Sequence, residues 1–142
     1  MIKKLLIAAG AVLAMVLAGG VAAADQMKVI YHINEGLDQA SNGLRNANNQ
    51  LDVDPKAQIV FVAHSKGVDF LMKGAKDKRG NKFEDIVERL TLKGVKFEVC
   101  EKTLKSRKLS KDQFIEYASY VPSGVWEVTK LQQKEGFAYL KP

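Results

Sequence analysis

The sequence predicts an α/β domain of three layers, α/β/α, built around a parallel sheet, and three observations predict it. Short segments of strand character recur along the chain, segments of helical periodicity fall between them, and one strand is apolar almost throughout. A strand that is hydrophobic on both faces is covered on both, the condition of a parallel sheet with helices on either side.

Residues 27–34 (MKVIYHIN) alternate apolar and polar side chains and are rich in β-branched and aromatic types, which makes them the first strand. Residues 36–51 carry Leu37, Ala40, Leu44, Ala47 and Leu51 at spacings of three and four, an amphipathic helix that ends near Asp54-Pro55. Residues 57–63 (AQIVFVA) form the near-continuous apolar run of a central strand. Val68, Phe70, Leu71 and Met72 indicate a short helix, and residues 76–82 (KDKRGNK) a charged loop around Gly80.

Phe83, Ile86, Val87 and Leu90 share one face of a helix over 83–92, which Gly94 is placed to stop. Residues 95–100 (VKFEVC) are the third strand. Ser110, with Gln113 three residues on and Phe114-Ile115 beyond, has the form of a capping box and predicts another helix there. Tyr120-Val121 make a short fourth strand, 123–133 a last helix and 137–140 (FAYL) a final strand. The alternation is βαβαβαβαβ, without internal repeat, low-complexity segment or linker.

The 142 residues, 46% hydrophobic and 27% charged with 11 Gly and 3 Pro, have the proportions of one ordinary globular domain. Met1-Ile2-Lys3-Lys4 opens the chain, an apolar run covers 5–21, and Ala22-Ala23-Ala24 precede Asp25. A basic start, an apolar middle and a small-residue exit predict a cleavable secretory signal peptide over 1–24 and a periplasmic mature domain over 25–142. The competing reading is a retained anchor, since the apolar run is at the lower limit for spanning a bilayer; cleavage leaves no membrane segment. With Lys3 and Lys4 gone, 20 basic residues face 16 acidic ones, an excess too mild and dispersed to point to nucleic acid. The single cysteine, Cys100, excludes an intramolecular disulfide. Two histidines and one cysteine cannot supply a standard four-ligand structural zinc site, and neither a phosphate-binding P-loop nor a nucleophile elbow is present, so no metal or cofactor is expected.

In an open parallel sheet ligands bind beyond the carboxyl ends of the strands. Those ends carry Asn34-Glu35-Gly36, His64-Ser65-Lys66-Gly67, Cys100-Glu101-Lys102-Thr103 and Pro122-Ser123-Gly124. Cys100 is the leading candidate for chemistry, since a thiolate at a strand end near a helix amino end and the cations Lys102, Lys105, Arg107, Lys108 and Lys111 would have its pKa lowered. The plain alternative is a small hydrophobe completing the strand. His64 is the candidate base or hydrogen-bond partner, provided the second and third strands are neighbours. His32, inside the first strand, reads as a core or interface residue.

Taken together, VFVAHSKG over 60–67, GVKFEVCEKTL over 94–104, and a tail with Val121-Pro122-Ser123-Gly124-Val125, Leu131-Gln132 and GFAYLKP over 136–142 resemble the DsrE/DsrF-like family of small sulfur-relay proteins, in its exported branch. The resemblance spans roughly 27–142. It implies a five-stranded parallel sheet of order 4-3-2-1-5, which makes the first three strands neighbours and lines one edge with Asn34, His64 and Cys100. It also implies assembly into trimers or hexamers, a sulfur donor or acceptor protein as partner, and a persulfide-accepting cysteine that Cys100 matches. Lys102 departs from the usual exported pattern, in which an Asn commonly precedes the Thr. Two functions follow: a thiol-based sulfur carrier, rather than a turnover enzyme, acting through Cys100 with His64; or an oligomeric module that binds a small anion through Asn34, Ser65, Thr103, Ser123 and Gly124, with helix amino ends as donors and Cys100 structural.

Overall fold

The computed structural model describes residues 26–142; the predicted signal peptide lies outside the described residues. Five strands, β1 (Lys28–Ile33), β2 (Gln58–Ala63), β3 (Lys96–Cys100), β4 (Ala118–Val121) and β5 (Ala138–Leu140), form one parallel sheet of order β4-β3-β2-β1-β5. Four α-helices accompany them: α1 (Leu37–Val53), α2 (Phe83–Leu92), α3 (Glu101–Arg107) and α4 (Gly124–Glu135), with a 3-10 helix over Ser65–Leu71.

The layers follow from strand alternation, because successive residues point to opposite faces and both faces are apolar. Tyr31, Phe61 and Phe97 occupy one face of β1, β2 and β3, with ring centroids 5.0 Å apart for Tyr31–Phe61 and 4.9 Å for Phe61–Phe97. Against them pack Leu44 and Leu51 of α1, Val87 and Leu90 of α2, and Phe70 of the 3-10 helix. Ile30, Val60 and Val62 occupy the other face under Val128 and Leu131 of α4. Helices thus cover both sides, and both β1 and β2 are internal strands, as the apolar run over 57–63 requires.

The predicted strands and the helix over Phe83–Leu92 lie where expected, within two residues at their ends. Two expectations fail together. The capping box exists, with the Ser110 N–H donating to Gln113 Oε1 at 2.8 Å, but it opens only a 3-10 turn over Lys111–Gln113. Phe114 then turns extended, is buried and bridges to Met72, so the helix cannot continue. The helix is instead α3, in the segment read as a loop, directly after β3. It is seven residues long (EKTLKSR) and offers no apolar stripe for sequence periodicity to detect, since of its residues only Thr103 and Leu104 are buried.

Candidate functional site

The register carries Asn34, His64 and Cys100 to the carboxyl edge of adjacent strands: Ile33 pairs with Ala63 and Ala63 with Val99, and the three residues lie one step further on. By alternation they share the face covered by α4. The first residue of α4, Gly124, packs directly on two of them. A Cβ there would meet His64 Cβ at 3.2 Å and Cys100 Cβ at 3.3 Å, so a glycine lets the helix amino end approach both.

Cys100 is 5% exposed and is also the N-cap of α3. Burial pushes its pKa up, but the Gly124 N–H, the Thr103 hydroxyl and N–H, and the Lys102 N–H outweigh burial and bring it below that of an ordinary thiol. Thr103 Oγ1 accepts the Ser65 N–H at 2.9 Å, which leaves its proton for the sulfur. Ser65 adopts φ 54, a left-handed backbone uncommon for a residue other than glycine. Two of the cations expected to lower this pKa, Arg107 and Lys111, are engaged elsewhere. Arg107 binds Asp69 and the Ser65 carbonyl, and Lys111 binds Glu101. Backbone and hydroxyl donors stabilise the thiolate, not a positive loop.

Both nitrogens of His64 are engaged, Nδ1 with Ser65 Oγ at 2.9 Å and Nε2 with His32 Nε2 at 2.7 Å. His32 Nδ1 meets the Tyr139 hydroxyl at 2.6 Å. Burial, the adjacent His64, and Lys141 lower the His32 pKa to about 4 against an opposing pull from Glu35, and burial and Lys141 lower that of His64. The pair is therefore neutral at neutral pH. His32 is neither plain core nor free surface; it joins the site, and its partner Tyr139 comes from β5. Alternation alone held the signal, since His32 and His64 fall on the same face once β1 and β2 are neighbours.

The remaining predicted residues are placed as follows. Asn34 donates its N–H to Gln39 Oε1 at 2.8 Å, and its own Oδ1 is buried without a partner. Ser123 is buried as the N-cap of α4 and makes no side-chain cap bond. Thr103 stands in the first turn of α3, whose N-cap is Cys100 itself rather than Thr103. Among the described residues no group of three or more His, Cys, Asp and Glu is placed to hold a metal ion, and no helix is long and apolar enough to cross a membrane.

A family model described as the DsrE/DsrF-like family matches residues 11–142. Among solved structures, a protein of unknown function from Methanobacterium thermoautotrophicum, MTH1491, is 29% identical, with a TM-score of 0.71 over 82% of this chain and 100% of its own. The ychN protein from E. coli is 16% identical, with a TM-score of 0.62 over 81% of this chain and 98% of its own, a likeness of fold. No curated protein matches the chain.

Proposed function

The chain belongs to the DsrE/DsrF-like family, a membership that points to a function related to sulfur relay, and from that premise we propose that it is a persulfide carrier acting through Cys100. The observation that carries this reading is the set of donors around the sulfur: a glycine-led helix amino end, a hydroxyl and two further N–H groups lower the pKa of a thiol that burial alone would raise.

The chemistry balances without an external oxidant. The Cys100 thiolate attacks the terminal sulfur of a donor persulfide, the donor S–S bond breaks as the new one forms, and the donor leaves as a thiolate that takes up a proton. An acceptor thiolate then removes the terminal sulfur by the same exchange in reverse. His64 serves as a positioning residue: it holds Ser65, whose N–H in turn orients the Thr103 hydroxyl. The proposal includes export to the periplasm, a donor or acceptor protein as partner, and a homo-oligomer, trimeric or hexameric.

The 5% exposure of Cys100 favours a second reading, in which the thiol is structural and the same donors hold a small anion. Thiol labelling and persulfide loading of native protein separate the two. The carrier gains one sulfur atom from a persulfide donor, loses that gain on treatment with a reductant, and gains nothing as Cys100→Ser with its unfolding midpoint unchanged. A Cys100 that stays unreactive until the chain is unfolded overturns the carrier.

A further inference from the structure

A groove of about 350 Å³ lies between α1 and α2, on the side of the sheet away from α4 and the thiol, within the size range of small-molecule sites. Its floor is apolar, made by the buried Leu44 and Leu90 with the partly buried Ile86. Its rim is cationic: Arg45 follows Leu44 on α1, Arg89 precedes Leu90 on α2, Lys93 stands one turn beyond Arg89, and Arg79 enters from the loop before α2.

The rim carries more positive than negative charge: Arg45, Arg79, Arg89 and Lys93 face the single carboxylate of Asp77, which keeps its charge beside Arg79, and Arg45 donates to Asn42 Oδ1 at 2.9 Å. Asp77 is the one carboxylate lining the groove, and both its oxygens are occupied by its own loop: Oδ1 accepts the N–H groups of Arg79 at 2.8 Å and Asn81 at 2.9 Å, and Oδ2 accepts the Asn81 amide at 2.9 Å. Among the described residues, Arg45, Arg79 and Arg89 make no ion pair, whereas Lys78, Arg107, Lys111, Lys130 and Lys141 each do. Lys93 Nζ donates to Asn48 Oδ1 across the groove at 3.1 Å, which ties the two helices together at one end. Guanidinium groups without an ion-pair partner around an apolar floor are open to an anion, and their planar donor fork matches phosphate and carboxylate oxygens.

We propose that the α1/α2 groove binds a small organic dianion, a phosphate monoester or a dicarboxylate carried on an apolar body, with the anionic head against Arg45, Arg79 and Arg89 and the body on Leu44, Ile86 and Leu90. The site is independent of the sulfur chemistry at Cys100.

Calorimetric titration of the full chain with phenyl phosphate and with phthalate tests it, and which of the two binds identifies the head group. Saturable binding at one site per chain is expected, about tenfold tighter than inorganic phosphate because only the aromatic probes reach the floor. Arg45→Glu/Arg89→Glu is expected to weaken binding by more than about tenfold with an unchanged unfolding midpoint, and the single Arg→Gln variants to show the loss in part should the double variant fold poorly. Cys100→Ser binds like the native chain, which keeps this outcome apart from that of the thiol. Absence of saturable binding to both probes, or binding undiminished by the charge reversals, overturns the proposal.

Discussion

His32 Nε2 lies 2.7 Å from His64 Nε2, and at that distance two lone pairs or two N–H groups cannot face each other, so the two imidazoles share one proton. Two arrangements satisfy the whole chain from Ser65 through His64 and His32 to Tyr139. If His32 donates to His64, then His64 Nδ1 donates to Ser65 and Tyr139 donates to His32. If His64 donates, every bond reverses. A proton added to either ring would set two N–H groups against each other at the shared contact and put a charge in a buried place beside Lys141; burial first, then Lys141, keeps both histidines from protonating, with His64 adding to the effect on His32.

The chain gives the first prediction. His64→Gln cuts Ser65 from its anchor, loosens the Ser65 N–H on Thr103, and moves the Cys100 pKa back toward that of free cysteine. Alkylation by iodoacetamide at pH 7 slows by about threefold to tenfold, while the plateau rate at high pH is unchanged. Tyr139→Phe, two bonds further away, produces a smaller slowing in the same direction. A plateau that falls along with the neutral rate would mean lost access rather than lost positioning.

Thr103 supplies a side-chain hydrogen bond to the sulfur. Thr103→Val keeps the shape and removes the hydroxyl, so the thiol pKa rises toward that of an ordinary cysteine. Thr103→Ser restores the native profile. Ultraviolet titration of the thiolate reads both variants directly.

Gly67 and Gly124 separate stability from chemistry. A Cβ at Gly67 would sit 2.0 Å from the Ile33 carbonyl oxygen, backbone against backbone, with no flexible neighbour to yield. Gly67→Ala therefore costs about 3 kcal/mol or more, read as a lowered urea midpoint. At Gly124 the neighbours are side-chain atoms 3.2 to 3.4 Å away, so Gly124→Ala costs about 1 kcal/mol while displacing the N–H that faces the sulfur. Thiol reactivity that survives Gly124→Ala unchanged would falsify the assignment of that N–H.

The legibility of this molecule tracks where apolar burial decides structure. The stripes of α1 and α2 and the apolar run of β2 are written in side chains that must leave water, and each stands where its pattern placed it. Helix α3 contributes only Thr103 and Leu104 to the interior and left no pattern, whereas the capping box at Ser110 is a local signal that the burial of Phe114 overrides. At the site, Cys100 and His64 could be found as strand ends. The His32–His64–Tyr139 chain is missed, because no single segment carries it: it emerges only when the alternation of β1, β2 and β5 is combined with the 4-3-2-1-5 order that sets them side by side.

The last prediction concerns pH and sets two groups against each other. Burial, reinforced by Glu127 and Glu135 against the opposing pull of Lys130 and Lys96, raises the Glu98 pKa to about 7, and its Oε2 is buried without a hydrogen-bond partner. An acid whose folded pKa exceeds its unfolded value of 4.5 contributes full stability below pH 4.5 and loses it as pH rises toward 7. His32 works the other way: its folded pKa of about 4 lies below the 6.5 of an ordinary histidine, so the unfolded chain takes up the proton first and stability falls as pH drops through that window. Between about pH 4.5 and 6.5 the two slopes oppose, and the native chain shows a flattened profile. Glu98→Gln removes one slope. At pH 8 it is more stable than the native chain by on the order of 1 kcal/mol, a figure reduced from the full shift because the side chain is only partly buried, and at pH 4.5 the two are equal. It then loses stability steadily from pH 6.5 down to 4, the uncovered contribution of the two histidines, and His32→Gln in the same background reduces that loss and leaves the share of His64. Urea unfolding across pH 4 to 8 measures all three chains, and a Glu98→Gln profile parallel to the native one would leave Glu98 without a part in the pH response.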